Sequence, residues 1–208
     1  MYKFRELQKA ARKEIAGKEI RVAVLGNCAT QFFSEAIQGY GKISGLNLNV
    51  YDTDYNQIDA QLVDENSEVY AFHPDHILIW LATDKIYEEF LEMDMSSRSR
   101  FAELYMQKLE HYWSLIAAKS KAHVIQMNFT EINDKVLGNY SCKVESTFCY
   151  QIRKLNFLLQ EAMSKNGNIY PVDLLSLQIQ LGTKELYYAP LYYNAKMCID
   201  MKALPYVA

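Results

Sequence analysis

No histidine follows His123 in this chain of 208 residues. A Ser/Cys–His–Asp relay in an α/β fold draws its general base from the loop after the last strand, and that region offers none. Long apolar runs are also missing: the longest are strand-sized, well short of a membrane span. Basic charge is not in excess, since 22 Lys and Arg against 25 Asp and Glu leave a net charge of −3, which gives no footprint for nucleic acid. The four cysteines, Cys28, Cys142, Cys149 and Cys198, include no C-x-x-C pair. Their spacing fits neither a zinc site nor a disulfide framework, so they read as reduced and mostly buried thiols. The first residues are charged and helix-patterned, without an apolar leader or cleavage site, and a cytoplasmic location is the expectation.

Half of the residues are apolar and 23% are charged, enough for one α/β domain over residues 1–208. Five short apolar runs, 20–25, 46–51, 77–81, 123–127 and 169–172, read as strands. Helical spacing marks 4–16, stopped by Gly17 so that residues 1–17 form an N-terminal helix. It also marks 30–40, 54–64, 84–93, 97–120, 148–165 and 173–181. Strand alternating with helix predicts a doubly wound, three-layer α/β/α fold with a five-stranded parallel sheet of order 2-1-3-4-5. Residues 128–146 form a long polar loop, the kind that often carries function. The tail, 201–208, reads as a connector to a further domain.

In such a sheet the loops after strands one, three and four meet at the carboxyl edge, where ligands bind. They supply Asn27, Cys28 and Thr30, then Thr83 and Asp84, then Asn128. Cys28 stands near a helix N-terminus, a setting that favours a thiolate. A nucleophile there also needs a base, and without one Cys28 is a small residue that lets the turn pack. Thr83-Asp84 reads as an oxyanion donor or, more simply, as a helix cap completed by Glu88. Asn128 suits either loop backbone or a ligand. The sixteen tyrosines crowd at Tyr187, Tyr188, Tyr192 and Tyr193. Tyr192, Tyr193 and Lys196 are expected to wall the crevice, the lysine and the helix N–H groups favouring an anion. His73-Pro74-Asp75-His76 precedes strand three and reads as a surface turn at the far edge, and no metal site is expected. Asp52-Thr53-Asp54 resembles a phosphatase motif, but Asn56 follows where Thr or Val belongs, so it reads as a turn and cap.

Two resemblances rest on these residues. Gly26-Asn27-Cys28 resembles the Gly-Asp-Ser block of the SGNH hydrolases, and Leu81-Ala82-Thr83-Asp84 a degraded form of their Gly-x-Asn-Asp block. Residues 22–33, 51–74, 124–129, 153–156 and 192–196, with Gly138-Asn139, resemble the N-terminal SGNH-like domain of FkbH-like proteins of the HAD superfamily. That resemblance implies an SGNH-hydrolase or flavodoxin-like fold followed by a HAD domain with phosphatase or glyceryl-transfer chemistry. It implies no cofactor in this domain, with Mg2+ only in the HAD domain. The implied partners are that HAD domain and an acyl carrier protein or phosphorylated small molecule. The expected role is a degenerate docking module lacking a complete triad. The alternatives are a Cys28-dependent ester hydrolase or acyltransferase with Lys196 or a tyrosine as base, and a phosphate binder using residues 26–30.

Overall fold

The computed structural model describes residues 2–132, 134 and 136–208. Five strands form one parallel sheet in the order β2-β1-β3-β4-β5. They are β1 (Glu19–Gly26), β2 (Asn47–Asp52), β3 (His76–Trp80), β4 (His123–Met127) and β5 (Ile169–Val172). The expected order and the two layers of helices around the sheet are both present.

Side-chain alternation along each strand divides the core into two. Ala23, Leu25, Ile77, Ile79 and Val124 face one side; Val22, Val24, Leu78, Trp80 and Met127 face the other. Helices on the first side are α3 (Ile58–Val63), α4 (Glu68–Ala71), α5 (Thr83–Glu92), α6 (Phe101–Lys119) and α7 (Phe148–Ser164). The second side is covered by α2 (Gln31–Ile43), α8 (Leu174–Leu181), α9 (Thr183–Leu186), α10 (Ala189–Ala195) and α11 (Leu204–Val207). Helix α1 (Phe4–Ala11) packs on α2. The tail is built into this second core: Ala203, Leu204, Pro205 and Val207 are buried, and Pro205 O accepts from Tyr40 Oη at 2.8 Å. No helix among the described residues is long and apolar enough to cross a membrane.

Three expectations are corrected. The N-terminal helix ends at Ala11 rather than near Gly17, because after Ala10 the chain is largely exposed and has no packed face to carry it on. The segment 54–64 is helical only from Ile58. Its first half is a turn in which Asn56 takes φ 57° and donates its N–H to Gly26 O at 3.2 Å. Thr83 and Asp84 do not cap α5: the N-cap is Ala82, without a side-chain cap bond, and Glu88 points elsewhere. Thr147 does cap α7 and Asp173 caps α8, each accepting a backbone N–H three residues on. At the amino edge His73 turns at φ 51°, and Asp75 accepts the Arg21 N–H at 2.8 Å. The turn reading therefore holds for 73–75, whereas His76 is already the first residue of β3, paired with Val22 and His123. Among the described residues no His/Cys/Asp/Glu group of metal-binding size occurs.

Candidate functional site at the carboxyl edge

The β1–α2 turn is closed from two directions. Its Asn27 N–H is given to Trp80 O at 3.3 Å, and its Asn27 Oδ1 accepts the Ala82 N–H at 2.6 Å. Its Ala29 N–H goes to Lys196 O at 2.9 Å. Lys196 itself sits in the left-handed region at φ 55°, ending α10 and turning the chain back over the turn. Two amides that could have faced an anion are thus committed to backbone carbonyls. The Cys28 side chain is 1% exposed, and the Cys198 thiol lies 3.5 Å from its sulfur. Burial and the neighbouring Cys28 push the Cys198 thiol well up, which keeps Cys198 protonated. Asn27 Nδ2 is buried with no partner, a loss of about 1–3 kcal/mol in an ordinary core.

Beneath the turn, Asp52 at the end of β2 accepts from Thr30 Oγ1 at 2.6 Å and Ser34 Oγ at 2.9 Å. Burial raises its pKa, while those two hydroxyls oppose the rise. The Asp-Thr-Asp string is accordingly a brace between β2 and α2, with Thr53 Oγ1 on Val24 O at 3.1 Å. Thr83 is buried and accepts from Thr130 Oγ1 at 2.9 Å, joining the loops after β3 and β4. Asn128 turns away: Nδ2 donates to Asp173 Oδ1 at 2.7 Å, and Oδ1 accepts the Leu175 N–H at 3.0 Å. It fixes the β5–α8 corner rather than the crevice.

The polar groups that stay within reach of solvent lie on α5 and α10. Tyr192 Oη donates to Glu88 Oε1 at 2.8 Å, and Lys85 Nζ lies 3.0 Å from Glu88 Oε2. Lys196 Nζ lies over the Tyr192 ring at 4.9 Å. Burial lifts Glu88, but hydrogen bonds from Lys85 and Tyr192 hold its carboxyl below the usual range. Asp84, one turn earlier on α5, is raised by burial against the opposing hydrogen bond of Tyr187. Tyr193, 73% exposed, stacks edge-on against Tyr192. The four histidines give this edge no base: His76 and His123 stack at the amino edge, His73 sits in the turn before them, and His111 lies within α6.

The model of the FkbH N-terminal domain matches residues 21–208. The chain belongs to that family. A solved structure of the N-terminal part of the protein BF1531 from Bacteroides fragilis, described as containing a phosphatase domain complexed with Mg, superimposes with a TM-score of 0.90 at 28% identity. The match covers 99% of this chain and 54% of that one, so the chain spans about half the length of that relative. An acetyl xylan esterase, AlAXEase, aligns with a TM-score of 0.53 at 12% identity over 90% of this chain and 96% of its own, a likeness of fold alone. No curated protein matches the chain in sequence.

In this FkbH N-terminal domain the turn after β1 is covered: the Ala29 N–H is bonded to Lys196 O, and Cys198 lies against Cys28. Sequence reasoning missed Cys198, Glu88, Lys85 and Tyr187 as neighbours of the edge. Asp84, Lys85 and Glu88 carried a visible signal, since residues three and four apart share a helix face. Cys198 carried none, being 170 positions from its partner.

Proposed function

We propose that this domain is a non-catalytic SGNH-like module that docks a substrate or carrier for chemistry performed by a HAD-type phosphatase domain of the same protein. The observation that carries the reading is the covered turn. Cys28 is closed off by Cys198 and by the Lys196 carbonyl, and no histidine reaches the carboxyl edge. A thiol nucleophile with neither access nor base has lost the groups that accelerate acyl transfer. Beside it, the α5–α10 surface still suits a ligand. Lys85 and Lys196 favour a phosphate or carboxylate, and the exposed Tyr193 offers an aromatic wall to a pantetheine-like arm. The phosphatase domain and Mg of the Bacteroides fragilis relative are the basis for the proposed partner domain.

The test compares the chain with Cys28→Ala on a short-chain aryl ester and weighs the protein after exposure to an activated acyl ester. Hydrolysis at background in both, with no acyl adduct on Cys28, is expected. Turnover that depends on Cys28, or an acyl group found there, would establish the hydrolase or acyltransferase alternative.

A further inference from the structure

We propose that Cys142 and Cys149 form a redox-active pair, with Cys142 the thiol attacked by peroxide and Cys149 the thiol that resolves it to a disulfide. The two sulfurs lie 3.8 Å apart, brought together where a short 3-10 turn, Gly138–Lys143, meets the first turn of α7. They differ in the way such a pair requires. Cys142 is exposed, whereas Cys149 is 6% exposed. Arg153, one turn further along α7, places Nη1 3.2 Å from the Cys142 sulfur. A guanidinium N–H donated to that sulfur sets a positive charge against the atom that would attack, and offsets the negative charge of an attacking sulfur. Burial and the contact with Cys142 push the Cys149 thiol up, so it stays protonated until a partner is oxidised.

The chemistry needs one oxidant, hydrogen peroxide. The Cys142 thiolate attacks a peroxide oxygen, the O–O bond breaks, and with one proton the products are a sulfenic acid and water. The Cys149 sulfur then displaces the hydroxyl from the Cys142 sulfur, and its thiol proton leaves with that hydroxyl as a second water. Two electrons pass from two thiols to one peroxide. Forming the bond requires the sulfurs to close from 3.8 Å to about 2 Å. Thr147 Oγ1 keeps the 3-10 turn against α7 through Ser141 O at 2.7 Å and Val144 O at 2.8 Å.

Arg153 is positioned independently of the sulfur, by a two-pronged pair with Glu131 at 2.8 and 2.7 Å. The Glu131 backbone is in turn bonded on both sides by the Gln178 amide. The other cysteine pair provides an internal control. Cys28 and Cys198 are close too, at 3.5 Å, but both are buried, and among the described residues no cationic side chain donates a hydrogen bond to either sulfur.

The reduced chain is treated with one equivalent of hydrogen peroxide, alkylated with N-ethylmaleimide before and after denaturation, and digested for mass spectrometry. Peptides joined through Cys142 and Cys149 are expected, with Cys28 and Cys198 alkylated only after denaturation. In Cys149→Ser, dimedone should label Cys142; in Cys142→Ser, it should leave Cys149 unlabelled. Arg153→Gln should slow the reaction about tenfold, as expected for loss of a charge-assisted hydrogen bond to the attacking sulfur, and Arg153→Lys should recover part of it. Labelling of Cys149 in Cys142→Ser, disulfides only between molecules, or faster loss of Cys28 and Cys198 would each overturn the assignment.

Discussion

Single residues decide whether this carboxyl edge can do chemistry, and the decisive ones are contacts rather than identities. Cys28 stands in the turn after β1, where Cys198 and the Lys196 carbonyl occupy the surroundings of that turn. At the opposite edge, His76 sets a pH dependence of stability. Burial lowers its pKa, His123 lowers it further, and Asp75 opposes both. Its Nδ1 is buried without a partner, and its ring stacks on that of His123 at 5.6 Å. A folded-state pKa below the unfolded value means that the unfolded chain binds the proton first. The stability contributed by neutral His76 is therefore complete above about pH 6.5, the unfolded value, and is lost as pH falls below it. Urea midpoints measured from pH 7.5 to 5.5 should fall in the native chain and fall less in His76→Phe. Equal slopes would remove His76 as the cause.

At the scale of elements, helix contacts are governed by small residues as much as by large ones. Gly39 in the middle of α2 lies against α1 so closely that an added Cβ would meet Leu7 O at 2.3 Å. Backbone cannot rotate away, so Gly39→Ala must lift α1 from α2. The expected loss is about 1–3 kcal/mol, the usual cost of overpacking, seen as a lower denaturant midpoint. Gly41→Ala should cost less, because the atoms it meets belong to the flexible Leu48 side chain. A Gly39→Ala chain as stable as the parent would show that α1 docks loosely. All five strands were legible in the sequence, β1 and β3 because strands buried on both faces are continuous apolar runs, and the half-buried edge strand β2 by its alternation of Asn47 and Asn49 with Leu48 and Val50. Two of them, His123–Met127 and Ile169–Val172, have the bounds that the apolar runs mark. The stretch 54–64 was not legible as far as Ile58, since its early polar residues are held by a backbone bond to Gly26, a contact distant in sequence. The α5 start was misread for a related reason: Thr83 is claimed by Thr130 across the loops, and Glu88 by Lys85 and Tyr192. Local capping rules see neither competitor.

Over the whole molecule, the chain folds back on itself so that its last forty residues finish the face that its first forty begin. The tail helix packs on α2, and α10 covers the β1–α2 turn. The β1–α2 turn is thus in contact with Lys196 and Cys198, and binding in the proposed docking role should use the neighbouring α5–α10 surface. The proposed docking role therefore predicts that a carrier protein bearing phosphopantetheine perturbs the amide signals of 85–88 and 192–196, while the same carrier without the arm does not. Tyr193→Ala removes a ring that is 73% exposed, and Lys196→Ala a cation that lies over the Tyr192 ring and within electrostatic reach of Glu88. Each should weaken binding by about two- to fivefold, in line with roughly 0.5–1 kcal/mol for exposed aromatic and charged contacts. Neither should shift the thermal midpoint much, because neither side chain is part of the core. Raising the salt concentration should reduce the effect of Lys196→Ala and leave that of Tyr193→Ala, since only the first is electrostatic. Carrier-induced shifts confined to α1 and the tail, with 192–196 silent, would place docking elsewhere and leave the α5–α10 surface as packing for a neighbouring domain.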